Sequence, residues 1–242
     1  MKSLLAALAF LTRIPVPGAS TFDAEDVARS AAWFPLVGLM LGGVYALLAV
    51  LLRNHLPGGL VAALLILTDV LLTGALHFDG LADTADGFGG GRNKEDILRI
   101  MRDHAIGSYG GVALVLIVAL KLTAYAALLN QTNCVPALIL APAFGRWSVL
   151  LLTATVPYAR PTGSVVQGMG KRSLFWGTGL LLSSVVVAMS VRAWAATATV
   201  ILASAASGFY CKRRIQGITG DTLGANLQLC ETVSLLTFLW KW

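Results

Sequence analysis

Apolar residues run through this chain in long stretches separated by short polar ones. Stretches able to cross a bilayer core, which takes about 20 helical residues, cover approximately residues 30–52, 58–78, 109–129, 133–156, 174–191, 195–210 and 227–242. The pattern predicts an all-α, polytopic membrane bundle of about seven transmembrane helices, within a range of six to eight, forming one membrane-embedded domain over residues 1–242. The opening "MKSLLAALAFLTRIPVPG" starts like a signal peptide, yet Arg13 and two prolines cut its apolar run short without a small-residue cleavage site. It reads as a retained interfacial or re-entrant segment. Between apolar runs, "NKEDILRIMRDHAIGSYG" places Asn93 as a helix cap with Asp96 three residues on, and Ile97, Ile100 and Met101 as an apolar stripe. That spacing predicts a short amphipathic helix on the membrane surface.

Composition agrees: 57% hydrophobic and 12% charged residues over 242 positions lie outside the range of an ordinary soluble domain. The three cysteines, Cys134, Cys211 and Cys230, are far apart and sit in apolar surroundings, so they suggest packed thiols and neither a disulfide framework nor a zinc site. With the amino terminus inside and seven spans, 13 of the 18 Lys and Arg residues fall in cytoplasmic segments, the bias that orients bacterial membrane proteins. The carboxyl terminus is then external, and every polar loop of any length is cytoplasmic. The formal charge of +6 follows from this bias and from anionic lipid, and calls for no nucleic acid.

The polar stretches carry the chemistry. "HFDGLADTADGFGGGR" at 77–92 follows the second apolar run, and at about 100° per residue its Asp79, Asp83 and Asp86 lie within about 60° of one another on a single helix face. At the carboxyl end of a helix such a cluster is opposed by mutual repulsion and by the helix dipole. A hard divalent cation, Mg²⁺ shared with substrate phosphates, is the natural counterweight. Gly87, Gly89, Gly90 and Gly91 are expected to end the helix and to let backbone approach a ligand. Arg102 and Asp103 close the next short helix, as an acid–base pair or a structural ion pair. His104 beside them is expected to be a surface or capping residue in preference to a general base. A second stretch, "KRRIQGITGDTLGANLQLCE" at 212–231, joins a basic trio to a loop with Gly217, Gly220 and Gly224 around Thr219 and Asp221. Exposed backbone N–H groups, cations for phosphate and one carboxylate as ligand or base meet there. Inside the spans, Asp69, Lys121, Arg146 and Glu231 must face the bundle interior. Asp69 and Lys121 are read as architectural; Arg146, near "PAFG", is expected to hold substrate phosphate, with pairing to Asp69 as the other reading. Acids for a metal and bases for phosphate at one membrane face point to phosphoryl transfer by an integral membrane transferase.

"FLTRIPVP" at 10–17, "AAWFPLVG" at 31–38, "HFDGLADTADGFGGG" at 77–91, "RIMRDHAIGSYG" at 99–110, "FGRW" at 144–147 and "GITGDTLGANLQLCE" at 217–231 together resemble the cobalamin synthase family, the adenosylcobinamide-GDP ribazoletransferases. The resemblance spans nearly the whole chain. It implies a Mg²⁺-dependent enzyme of the bacterial inner membrane, with its active site on the cytoplasmic face. Such an enzyme joins adenosylcobinamide-GDP to α-ribazole or its 5′-phosphate and releases GMP, finishing cobalamin assembly. By the same resemblance Asp79, Asp83 and Asp86 match the family's acidic motif as metal ligands, and Asp221 its second acidic loop. His104 stands where the family more often has Ser or Pro. The mechanism expected is in-line attack by a ribose hydroxyl of the acceptor on the cobinamide-bound phosphorus. Asp221 or Asp103 would serve as base. Arg102, Arg146, Arg160, Arg213 and Arg214 would contact phosphate, together with Thr219, Gly220 and Asn226 of the second loop. A homo-oligomer is compatible with this reading but no residue pattern demands one. Two other classes remain. A CDP-alcohol phosphotransferase or prenyltransferase also uses membrane-face aspartates, but "DGFGGGR" lacks the Ala-Arg and the later acidic pair of the former. A transporter would use Asp69, Arg146 and Glu231 as a path and leave the acidic loop without a task.

Overall fold

A computed structural model describes residues 2–103, 105–160 and 169–240. Those residues form eleven α-helices: α1 Lys2–Leu11, α2 Ala24–Ser30, α3 Phe34–Leu52, α4 Gly58–Thr73, α5 Leu76–Gly90, α6 Lys94–Ile100, α7 Ser108–Leu129, α8 Val135–Thr155, α9 Lys171–Val187, α10 Val191–Ile215 and α11 Gly220–Leu239. Local chemistry sets many of the boundaries. Asp23 caps α2 by accepting the Asp26 N–H at 2.7 Å, and Asp26 reaches back toward the Asp23 N–H in a capping box. Pro35 occupies the first turn of α3, where its missing N–H costs nothing. Asn93 accepts the Asp96 N–H at 2.9 Å, as its position predicts. The short α6 then buries Ile97 and the following Met101.

Among the described residues four helices are long and apolar enough to cross a membrane: the continuous Ala24–Leu52 unit, α7, α8 and α10; the bent pair of α4 and α5 makes a fifth. The expected count of about seven is not confirmed, and three features account for the difference. First, the second apolar run does not continue into the acidic stretch as one helix. Gly74 and Ala75 both take left-handed backbone, at φ 64° and 60°, which closes α4 and turns α5 away from it by 92°. Second, α9 falls short at 17 residues. Third, α11 begins at Gly220, earlier than its apolar run, and carries Asp221, Asn226, Gln228 and Glu231. It packs against α5, α7, α8 and α10, and protein neighbours satisfy the polar groups that lipid could not. Gly87 and Gly89 also stay helical; only Gly90 and Gly91 mark the end of α5. A Cβ on Gly87 would stand 2.6 Å from Met101 Cγ, so this glycine lets α6 lie close against α5.

The bundle is centred on α8 and α11, and its middle holds a closed set of charges. Glu231 on α11 accepts from Lys121 of α7 at 2.8 Å through Oε1 and from Arg146 of α8 at 2.7 Å through Oε2. Asp69 on α4 lies 3.6 Å from Lys121 and 3.7 Å from Arg146, and it accepts the Tyr45 hydroxyl of α3 at 2.8 Å. Two acids and two bases, all almost wholly buried, balance to zero and tie four helices together, with α3 joined through Tyr45. Lys121 also lies 5.2 Å from the centre of the Phe78 ring on α5.

Removing one member of such a set strands a buried charge, at a cost of about 3–5 kcal/mol. Glu231→Gln is therefore expected to unfold in detergent far more readily than wild type. Asp69→Leu combined with Lys121→Met leaves the Arg146–Glu231 pair balanced and should be more stable than either single change. Thermal unfolding of the purified variants checks both, and strictly additive losses would show that the four charges do not act as a unit.

Candidate active site

The two polar stretches that the sequence places on one face meet where α5 crosses the start of α11. Gly80 is the contact: a Cβ there would come within 2.9 Å of the Asp221 carbonyl oxygen and 3.2 Å of its Cα. Gly224, one turn into α11, faces the same backbone more loosely, with His77 and Gly80 Cα 3.4 and 3.5 Å from where a Cβ would stand. A side chain at Gly80 would push the helices apart. With the helices this close, Asp79 and Asp221 line a single cavity of about 190 Å³. Asp79 is exposed and Asp221 half-buried. Each stands in the first turn of its helix.

The amino end of α11 is built with care. Thr219 accepts the Thr222 N–H at 3.2 Å, and Thr222 accepts the Thr219 N–H at 2.8 Å, which closes a capping box. The Thr219 hydroxyl also reaches Asp221 Oδ2 at 3.2 Å. Arg160 donates to that same oxygen at 3.2 Å. The chain around Arg160 is pinned by a parallel bridge between Tyr158 and Ile218, with the Ala159 N–H on the Ile218 carbonyl at 2.8 Å. Asp221 Oδ1 carries neither of these two bonds. Gly220 is exposed and lines the cavity.

The three-acid face of α5 is divided. Asp79 points to the cavity, and Asp83 is half-buried one turn on. Asp86 is buried and accepts the N–H groups of Gly107 at 2.7 Å and Gly110 at 2.8 Å, so it caps α7 from a neighbouring helix. A Cβ at Gly110 would collide with the Asp86 carboxylate. Among the described residues no three His, Cys, Asp or Glu side chains are grouped closely enough to hold a metal by themselves. Asp86, expected as a metal ligand beside Asp79 and Asp83, has both carboxylate oxygens engaged as a cap.

The other candidates scatter. Arg102 and Asp103 are exposed beyond α6, and Asp103 accepts the Ala105 N–H at 3.2 Å; their neighbour Met101 touches Thr219. His104 lies outside the described residues. Arg213 is exposed. Arg214 donates to the Gly91 and Phe88 carbonyls at 3.0 and 3.3 Å, so it secures the carboxyl end of α5. Asn226 is buried and donates to Ser148 Oγ at 3.0 Å. Arg146 belongs to the central charge set, paired with Asp69 and Glu231. From Asp221 to Glu231, α11 rises about 15 Å, which separates Arg146 from the cavity mouth. Sequence reasoning missed the apolar wall. Phe10 of α1 stacks on Phe34 of α3 at 5.9 Å, and both line the cavity with Met169 and Leu223. Only the aromatic character of Phe10, in a segment read as interfacial, hinted at this.

One end of the bundle thus gathers two first-turn carboxylates, a guanidinium and a helix amino terminus around an apolar hollow. Such a site suits a substrate that is anionic at one end and greasy at the other. No solved structure matches this fold. The family profile described as cobalamin-5-phosphate synthase matches residues 3–239. An adenosylcobinamide-GDP ribazoletransferase of Clostridium botulinum is 37% identical over 99% of this chain and 98% of its own. One from Ralstonia nicotianae is 39% identical over 98% and 95%, and one from Desulfitobacterium hafniense 38% over 98% and 96%. With the match running almost end to end, the chain belongs to the cobalamin-5-phosphate synthase family.

Proposed function

We propose that this protein is an adenosylcobinamide-GDP ribazoletransferase, which joins α-ribazole or its 5′-phosphate to the cobinamide-bound phosphorus and releases GMP. The observation that carries the reading is the meeting of Asp79 and Asp221 at one cavity through the Gly80 contact. It brings together the two motifs that are most specific in the sequence. In the reaction, a ribose oxygen of the acceptor bonds to the phosphorus attached to cobinamide. The bond from that phosphorus to the bridging oxygen breaks, and GMP leaves with the electron pair. Asp221 Oδ1 takes the hydroxyl proton, while Oδ2 stays with Arg160 and Thr219. Arg160 spends one bond on Asp221 and retains guanidinium donors for a phosphate oxygen. Arg102 and Arg213, both exposed, add charge that attracts the pyrophosphate.

The donor set fits Mg²⁺ in its open mode, in which one or two carboxylates serve and water and substrate phosphate complete the shell. Asp79 and Asp83, four residues apart on α5, would hold the ion, and it would supply charge neutralisation at the pyrophosphate.

The setting is the inner membrane with the active site in the cytoplasm. Support comes from the basic bias and from the joining of the loops: Lys94 reaches Gln216 at 3.1 Å and Arg214 reaches Gly91. The basic stretches around Lys94 and Arg214 therefore lie at one end of the bundle. Single cysteines at positions 90, 102 and 213, exposed in the structure, should react with an impermeant thiol reagent only from the cytoplasmic side of oriented vesicles. Labelling from opposite sides would end the shared-site reading.

Asp79→Asn, Asp83→Asn and Asp221→Asn should each insert and fold but lose at least about a hundredfold in GMP release, near 2.7 kcal/mol in the barrier. Asp86→Asn behaves differently. It weakens the α7 cap, with a stability loss of about 0.5–2 kcal/mol, and the protein that stays folded should turn over. Chelation by EDTA should stop GMP release and Mg²⁺ restore it. Full activity in Asp79→Asn, or in the chelated enzyme, would remove the metal from the reading.

A further inference from the structure

The cavity beside Asp79 and Asp221 has one polar end and an otherwise apolar wall, formed by Phe10, Phe34, Leu76, Val149, Met169 and Leu223. At about 190 Å³ it is smaller than the roughly 300–1,000 Å³ that enclose a drug-sized ligand. Neither a corrinoid nor a whole nucleotide fits inside. An apolar hollow of about 150 Å³ accepts a benzene ring, so this one accepts a ring system slightly larger. His77 lines it as well, 5% exposed, and its Nδ1 has no hydrogen-bond partner among the described residues. A buried polar atom left unpaired calls for an explanation.

The ribazoletransferase reading supplies two bases that could enter. Guanine, from the donor, carries donors and acceptors along most of its edge, and an apolar wall would leave them unpaired at a cost. The dimethylbenzimidazole of the acceptor is a flat apolar bicycle. One of its ring nitrogens is bonded to ribose and the other is its sole acceptor. A single donor at one end of the cavity satisfies it.

We infer that this cavity is the acceptor's base pocket, with His77 the residue that recognises the ring nitrogen and the apolar wall selecting the methylated ring. The inference rests on the ribazoletransferase reading and adds a position to it. A base seated among Phe10, Phe34 and Val149 leaves its ribose at the polar end, where Asp79 and Asp221 stand. The attacking hydroxyl is then delivered to the carboxylate assigned to take its proton.

The test uses full-length protein in detergent with Mg²⁺, reading GMP release while α-ribazole or adenosylcobinamide-GDP is varied in turn. Val149→Phe, which fills the pocket, and His77→Phe, which removes the imidazole, should each raise the KM for α-ribazole tenfold or more and leave the KM for adenosylcobinamide-GDP at the wild-type value. Equilibrium dialysis with labelled α-ribazole should show the same loss without turnover. With wild type, the α-riboside of unmethylated benzimidazole should lose several-fold in kcat/KM, and that of adenine tenfold or more. If detergent unfolding shows Val149→Phe to be misfolded, Val149→Leu serves in its place with a smaller shift in the same direction. A rise in the donor's KM instead, or no change in either, overturns the pocket assignment while wild-type turnover stands. Absence of GMP release by wild type on α-ribazole would overturn the ribazoletransferase reading itself.

Discussion

Everything in this bundle is arranged around four buried charges. Asp69, Lys121, Arg146 and Glu231 come from four helices, and in a bilayer interior none could stay ionised alone. Their mutual pairing fixes where α4, α7, α8 and α11 stand relative to one another, because a shift of an ångström or two would turn a satisfied set into isolated charges. Apolar packing in a membrane gives little such direction, since lipid tails are as greasy as leucine. The charge set is therefore a register mark, and Tyr45 adds α3 to it through Asp69.

The site is built upward from that mark along α11. Once Glu231 is fixed, the rise of the helix fixes Asp221, and the glycine contact then fixes α5 and Asp79. The far end of α5 is held separately, by Arg214 on its last carbonyls and by Asp86 on the amino end of α7. Residues that a motif search would class together thus do different work. Arg146 and Asp86 position the elements, and Asp79, Asp83 and Asp221 meet the substrate in the proposed mechanism.

Much of this was legible in the sequence because it obeys local rules. Asn93 caps α6, ionisable residues in apolar runs turn inward, and the acidic and glycine-rich stretches share a face. The failures have physical causes. Hydropathy runs smoothly through "TGALHF" and so hides the Gly74–Ala75 turn, which is a matter of two backbone dihedrals. The polar start of α11 reads as a loop because a hydropathy count assumes lipid on every side, and this helix meets mostly protein. Helical spacing put Asp86 beside Asp79 and Asp83, but it could not show that the Gly107 and Gly110 amides come from another helix to claim it. The apolar cavity draws on α1, α3, α5, α8 and α11, and no local pattern joins residues so distant in the chain.

The Gly74–Ala75 turn has an electrostatic outcome. Had α4 simply continued to Gly90, Asp79 would lie in a helix interior, away from any amino terminus. By stopping one helix and starting another, the chain exchanges that for an amino terminus, where about half a positive charge resides. Helix α11 presents its own amino end to the same cavity, so two positive poles face the two carboxylates. Fixed dipoles of the two helices thus supply part of the positive counterweight to the acids from the fold itself.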